Sequence, residues 1–275
     1  MKVKDFHNKV CWVTGSSSGI GAALAIALNK LGAYVILSAR NVENLEKIKS
    51  ACAEPGKVAI VACDMEDTDS LPSIAMQSWK TFNGIDYVFL NAGFAVRDTV
   101  INTAFDLFKK VMTINFFSTV IITKTLLPLM TENGSGCFVI TSSLSGKYGI
   151  PKLAAYAASK HALHGFFESL RAENEMENIK FTIVIPGLVK TNISVNALKG
   201  DGQPYGKMQQ SIENGISPEA CAQGIIKAVA SEKKEVLIGG FEKYSVVVKR
   251  FFPGFFTSFI GKHPFKKLRK LGLFK

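Results

Sequence analysis

Tyr156 and Lys160, four residues apart in Ala154-Ala155-Tyr156-Ala157-Ala158-Ser159-Lys160, are the side chains best suited to proton transfer. The segment favours a helix, and this spacing puts both groups on one face. A free tyrosine has a pKa of about 10, too high to exchange protons readily near neutrality. A neighbouring ammonium stabilises the phenolate, so Lys160 is expected to lower the Tyr156 pKa and make it a general acid and base. Ser143 follows the apolar run Cys137 to Thr141, where its hydroxyl can hold a substrate oxygen. His161 and His164 lie on the same predicted helix, with His161 turned off the Tyr156 face. Neither histidine is assigned a chemical role.

A second constellation suits phosphate. The apolar run Val10 to Val13 leads into Thr14-Gly15-Ser16-Ser17-Ser18-Gly19-Ile20-Gly21, followed by the helix-forming stretch Ala22 to Leu31. Glycines allow a tight turn whose N–H groups approach a pyrophosphate, and the helix that follows presents its positive dipole end. Gly15, Ser17, Ser18, Gly19, Ile20 and Gly21 are therefore expected to bind a dinucleotide. After the second apolar run stands Ser38-Ala39-Arg40, where a free ribose 2′-hydroxyl would call for a carboxylate. Arg40 can pair with a 2′-phosphate instead, which favours NADP(H) over NAD(H); a solvated surface arginine is the alternative. Asp64 is placed either to accept from the adenine amino group or to cap the next helix.

The elements that must position these groups are short apolar runs alternating with helical patterns. The runs are Val10 to Val13, Tyr34 to Ser38, Val58 to Ala62, Tyr87 to Leu90, Cys137 to Thr141, Phe181 to Ile185 and Glu235 to Ile238. Continuous apolar character predicts strands covered on both faces, hence α/β architecture: one doubly wound parallel sheet of about seven strands. Ser217-Pro218-Glu219 has the features of a helix start. The stretch from Leu188 to Ile216 is irregular and long enough for a lid or binding loop.

The order of these motifs resembles the short-chain dehydrogenase/reductase family over roughly residues 8 to 240. The matching elements are TGxxxGxG at Thr14 to Gly21, Asn91-Ala92-Gly93, Ser143, YxxxK at Tyr156 to Lys160, and Pro186-Gly187. The resemblance implies a Rossmann-type fold and interconversion of a carbonyl with a secondary alcohol. It implies that Tyr156 gives a proton to the carbonyl oxygen, that Ser143 holds that oxygen, and that Lys160 binds the nicotinamide ribose. Asn115 would hold a water in the proton relay, Asn91 would stabilise the sheet, and Thr191 would contact the carboxamide. Ala92, Gly93, Pro186 and Gly187 complete the cofactor positions it implies, and pairing into a homodimer or homotetramer is expected. The stretch from Ser142 through Tyr156 is similar to hydroxysteroid dehydrogenases and other lipid-directed members.

Composition agrees with an enzyme body. Hydrophobic residues make up 47% and charged residues 20%, enough to fill a core. Cys11, Cys52, Cys63, Cys137 and Cys221 show no zinc spacing or disulfide framework, so no metal is expected and the thiols are read as reduced. Met1 to Lys9 leads into an apolar run too short for a signal-peptide core, which points to a cytoplasmic location. No uninterrupted apolar stretch reaches the roughly 18 residues of a span.

The net charge of +11 sits mostly in the tail: residues 241–275 hold nine Lys/Arg and one Glu. This divides the chain into a dinucleotide-binding and catalytic domain, 1–240, and a basic, aromatic extension, 241–275, with a helix expected to start at Pro253. Residues 251–275 either contact an anionic membrane or pack on the protein. Base-reading motifs are absent, so no nucleic-acid partner is expected. Phe94, Leu144, Tyr148 and Leu188 are the candidate substrate walls, and their apolar character favours a lipophilic carbonyl or alcohol. The rivals are a 3-ketoacyl-thioester reductase and a non-catalytic NADP(H)-binding regulator.

Overall fold

A computed structural model describes residues 6–173 and 178–261. In chain order its elements are β1 (Val10–Thr14), α1 (Gly19–Lys30), β2 (Tyr34–Ser38), α2 (Val42–Ser50), β3 (Val58–Ile60), α3 (Leu71–Thr81), β4 (Tyr87–Leu90), α4 (Phe105–Met112), α5 (Ser118–Glu132), β5 (Gly136–Thr141) and α6 (Ala154–Glu173). They continue with β6 (Ile179–Pro186), α7 (Gln210–Glu213), α8 (Pro218–Ala230), β7 (Glu235–Ile238), α9 (Ser245–Phe251) and α10 (Pro253–Ile260). The seven strands form one sheet in the order β3-β2-β1-β4-β5-β6-β7, and every pairing is parallel.

Alternation of side chains along each strand divides the core between the two faces. Trp12, Ile36, Phe138 and Ile140 point into one cluster with Leu71, Ile122, Leu126 and Phe167 of α3, α5 and α6. Cys11, Val13, Val35, Leu37 and Val139 point into the other with Leu24, Leu28, Ile225 and Val229 of α1 and α8. The five cysteine thiols are buried, and desolvation raises the pKa of Cys11, Cys52, Cys63 and Cys221.

Local chemistry sets several boundaries. Ser217 Oγ accepts from the Ala220 amide at 3.1 Å, with Pro218 opening α8. Between α4 and α5 the helix loosens into a π-helical turn, Thr113–Phe117, that contains Asn115. The run Phe105–Glu132 is long enough for a bilayer span and contains an 18-residue window of mean hydropathy 1.4, although it packs on α3 and α6. Strand β3 ends at Ile60, two residues short of the expected run, although the Val61 amide still donates to the Leu37 carbonyl of β2 at 3.0 Å.

Candidate active site

The glycine turn joins β1 to α1 beside the carboxyl ends of the central strands. Gly15 and Gly19 have φ of +66° and +57°, a conformation that side chains with a Cβ rarely adopt. A Cβ on Gly15 would lie 2.8 Å from Ala92 Cα, and one on Gly19 would lie 3.1 Å from the Thr191 methyl. The turn therefore lies against the Asn91-Ala92-Gly93 segment on one side and Thr191 on the other. Ser18, the N-cap of α1, makes no side-chain capping bond, so the first-turn N–H groups are not capped by it. That cradle fits a pyrophosphate.

Asn91 ties the turn to the sheet. Its Nδ2 donates to the Thr14 carbonyl at 3.2 Å, and its Oδ1 accepts from Thr141 Oγ1 at 3.3 Å. Thr14 Oγ1 accepts from the amides of Asn91 and Ala92. Ser38 is buried, taking a bond from Trp12 Nε1 at 2.8 Å and giving one to the Val61 carbonyl. Arg40, two residues on, is exposed. Asp64 Oδ1 accepts from the Glu66 amide at 3.0 Å; it does not cap the next helix, which starts at Leu71 after Ser70.

At the reacting centre Tyr156 and Lys160 are both buried on α6. Lys160 Nζ lies 5.7 Å from the centre of the Tyr156 ring and donates to the Thr141 carbonyl at 2.7 Å. A Cβ on Gly93 would lie 3.6 Å from that Nζ and 3.7 Å from Asn115 Oδ1, so these three residues line one space. Ser143 Oγ accepts from the Ser145 amide at 3.1 Å, and its hydroxyl is near enough to Tyr156 to act on the phenol's acidity.

Burial pushes the Tyr156 phenol up to about 12, and the group that pulls it back down is the Ser143 hydroxyl. Lys160 is itself desolvated, with its pKa lowered to about 8, and lies nearest the ring rather than bonding the hydroxyl.

Asn115 is fully engaged through its side chain: Oδ1 accepts from the Phe94 amide at 2.7 Å, and Nδ2 donates to the Phe94 carbonyl and to Ser159 Oγ, each at 2.9 Å. His161 is exposed, with Nδ1 against the Ala157 carbonyl. His164 is buried, and its Nε2 pairs with Ser142 Oγ at 2.9 Å. Spacing alone did not place Glu235 near it. The ligand atoms of His164, Glu168 and Glu235 lie within 4.8 Å of one another, but Glu235 already pairs with Lys147 at 2.7 Å.

A sequence model described as short chain dehydrogenase matches residues 9–201. The chain belongs to the short-chain dehydrogenase family. It is 35% identical over 264 residues to the Dehydrogenase/reductase SDR family protein 7-like of Drosophila melanogaster, covering 94% of this chain and 81% of that one. It is 38% identical over 256 residues to Dehydrogenase/reductase SDR family member 7B of Mus musculus, covering 91% and 79%. Among solved structures it resembles a short-chain dehydrogenase/reductase of Burkholderia phymatum in complex with NAD, with TM-score 0.79, 20% identity and coverage of 90% and 94%. That likeness carries the fold, and membership of the family carries carbonyl and alcohol oxidoreduction with a nicotinamide cofactor.

Within this short-chain dehydrogenase the predicted substrate walls separate into different groups. Tyr156 shares its cluster with Ala95, Ala197, Leu153, Ile193 and Tyr205. Leu144 and Tyr148 belong instead to the main core, where Tyr148 meets Phe256 of α10 at 4.8 Å between ring centres. Phe94 packs with Val96, Val111 and Ala155. The Leu188 amide donates to Glu242 Oε1 at 2.9 Å, and Gly187 donates to the Ile238 carbonyl at 2.7 Å. Glu242 thus holds the segment after Pro186, a contact that the charge pattern of the tail did not reveal.

Proposed function

We propose that this chain is an NADP(H)-dependent oxidoreductase that interconverts a carbonyl and a secondary alcohol on lipophilic substrates. The observation that carries this is a buried Tyr156 phenol beside the Ser143 hydroxyl, with the Lys160 ammonium one helical turn away and 5.7 Å from the ring centre.

A nicotinamide held at this site would supply the hydride. Ser143 and Tyr156 hold the carbonyl oxygen, and Tyr156 Oη gives it a proton. Burial favours the protonated phenol, so the proton is available to the carbonyl oxygen. Lys160 uses one of its three N–H donors on Thr141, leaving two for ribose hydroxyls. With the Asn115 side chain committed to Phe94 and Ser159, a relay water would be held through its main-chain carbonyl in the π-helical turn. Thr191, Pro186 and Gly187 would edge the nicotinamide, while Gly15 and Ser17 to Gly21 would hold the phosphates.

NADP(H) is favoured because Ser38 is occupied inside the fold and the first exposed group after β2 is Arg40. Asp64 would meet the adenine. The apolar side chains around Tyr156 support a lipophilic substrate, and the exposed Phe105 and Phe117 support pairing of subunits through the α4–α5 side. Location in the cytoplasm, with residues 251–275 reaching a membrane surface, fits such a substrate; residues 262–275 lie outside the described residues. A second reading, a 3-ketoacyl-thioester reductase, is favoured by Arg97, whose guanidinium sits 5.9 Å from the centre of the Tyr205 ring beside the same cluster.

The test is NADPH and NADH consumption against steroids, retinoids, medium-chain ketones and acyl thioesters. Selective NADPH use with a lipophilic ketone is expected. NADPH binding without turnover on any of them would instead make the chain a non-catalytic binding protein.

A further inference from the structure

The two faces of the α9–α10 hairpin differ in what they meet. On the inner face Phe256 is buried against Tyr148, and Tyr148 Oη pairs with Ser245 Oγ at 2.7 Å. Val246, Val248 and Ile260 pack against the same core, which fixes the hairpin on the domain. On the outer face Phe251 is 68% exposed and Phe252 and Phe255 are each 65% exposed, with Tyr244 at 53% and Val247 at 48%. Single exposed apolar residues are ordinary, but five of them within one short hairpin mark an interaction surface.

Charge identifies the occupant. Lys243 and Arg250 lie among these aromatics, while Lys249 turns inward and donates to the Lys147 carbonyl; residues 262–275 add six Lys/Arg and no acid. The one carboxylate of the tail, Glu242, faces inward to the amides of Leu188 and Gly240. A second copy would bring the same sign of charge against itself, whereas acidic lipid headgroups complement it.

We propose that the outer face of the α9–α10 hairpin docks on an anionic membrane, with Phe251, Phe252 and Phe255 entering the headgroup boundary and the flanking cations pairing with acidic lipids. An amphipathic helix lying in the interface binds through this combination of aromatic burial and basic charge. The inner face touches Tyr148, between Ser143 and Tyr156 in the chain, so docking holds the catalytic segment close to the bilayer. A lipid-borne carbonyl then reaches the site without crossing bulk water. That advantage rests on the lipophilic-substrate reading; the docking itself does not.

The test is sedimentation of the full chain with phosphatidylcholine vesicles, with and without about 30 mol% phosphatidylserine. The wild type should bind the anionic vesicles, and Phe251→Ser/Phe252→Ser/Phe255→Ser should lower binding by about tenfold or more. Binding should also fall as salt is raised from about 0.1 to about 0.5 M. An unchanged melting temperature in the triple variant shows that the fold is intact. Wild-type protein left in the supernatant, or equal binding by the triple variant, overturns the proposal. So does a wild-type dimer, seen by sedimentation velocity, that the triple variant loses without any vesicle binding, because the face would then belong to a second copy. Repeating the assay with Tyr156→Phe separates the two claims: retained binding there shows docking independent of turnover, and a failed carbonyl screen would leave it standing.

Discussion

Lys160 Nζ is held by the Thr141 carbonyl at 2.7 Å, beneath the ring of Tyr156 at 5.7 Å from its centre. The end of β5 thus anchors the ammonium beside the phenol. Burial acts on both groups in opposite senses, raising Tyr156 to about 12 and lowering Lys160 to about 8. The order of their acidities in water is thereby reversed, and at neutral pH both keep their protons.

Keeping Lys160 charged inside the fold opposes stability. Its folded pKa lies below its unfolded value of 10.5, so the unfolded chain binds the proton more readily between about 8 and that value. Stability should therefore rise with pH across this window. Lys160→Met, which removes the charge, should stabilise the protein at pH 7 by about 2 kcal/mol after loss of the Thr141 bond. Above the upper end of the window the gain should vanish. Denaturant melts at both pH values check this; a destabilised variant at pH 7 would contradict it.

His164 has the same sign at lower pH. Burial and the charges of Lys147, His161, Lys160 and Arg171 lower its pKa from 6.5 to about 4, even with Glu168 and Glu235 each 3.7 Å from Nδ1. Stability that is complete above pH 6.5 should be lost as pH falls towards 4, on the order of 2 kcal/mol. His164→Gln keeps a partner for Ser142 and should flatten that part of the acid melt. An unaltered acid profile would show that other groups control it.

Arg40 is exposed at the end of β2, where no carboxylate stands. Arg40→Asp should weaken NADPH binding at least about tenfold and leave NADH binding equal or improved. Titration of both cofactors by fluorescence decides it, and equal loss of the two would remove Arg40 from cofactor choice.

Phe256 is the buried link between the hairpin and Tyr148. Phe256→Ala should cost about 3 kcal/mol locally, releasing α9 and α10 ahead of the sheet. Hydrogen exchange should accelerate over residues 245–260 while β4 and β5 stay protected. Uniform acceleration would make the hairpin an integral part of the global core.

The sheet was legible because its strands are covered on both faces. The apolar runs Tyr34 to Ser38, Tyr87 to Leu90 and Glu235 to Ile238 coincide with β2, β4 and β7. Residue type and spacing also announced Tyr156, Lys160 and the glycine turn. The surroundings of Tyr156 were not legible, because the loop after Pro186 folds back through the bridges Val96 to Leu198 and Leu198 to Pro204. That return brings Ala197 and Tyr205 to the phenol from about 40 to 50 residues away, where no local pattern points. Spacing showed that Tyr156 and Lys160 are neighbours but not that both are dry, and dryness sets the direction of their pKa shifts. The partners of Tyr148 were hidden for a similar reason, since Ser245 and Phe256 come from the tail.

The most direct measurement compares the wild type with Tyr156→Phe in steady-state reduction of a lipophilic ketone, with NADPH affinity measured in parallel. Loss of the phenolic proton should lower kcat by about a hundredfold or more and leave NADPH affinity within about twofold. Equal turnover by the variant would contradict the assignment of Tyr156 as the proton donor.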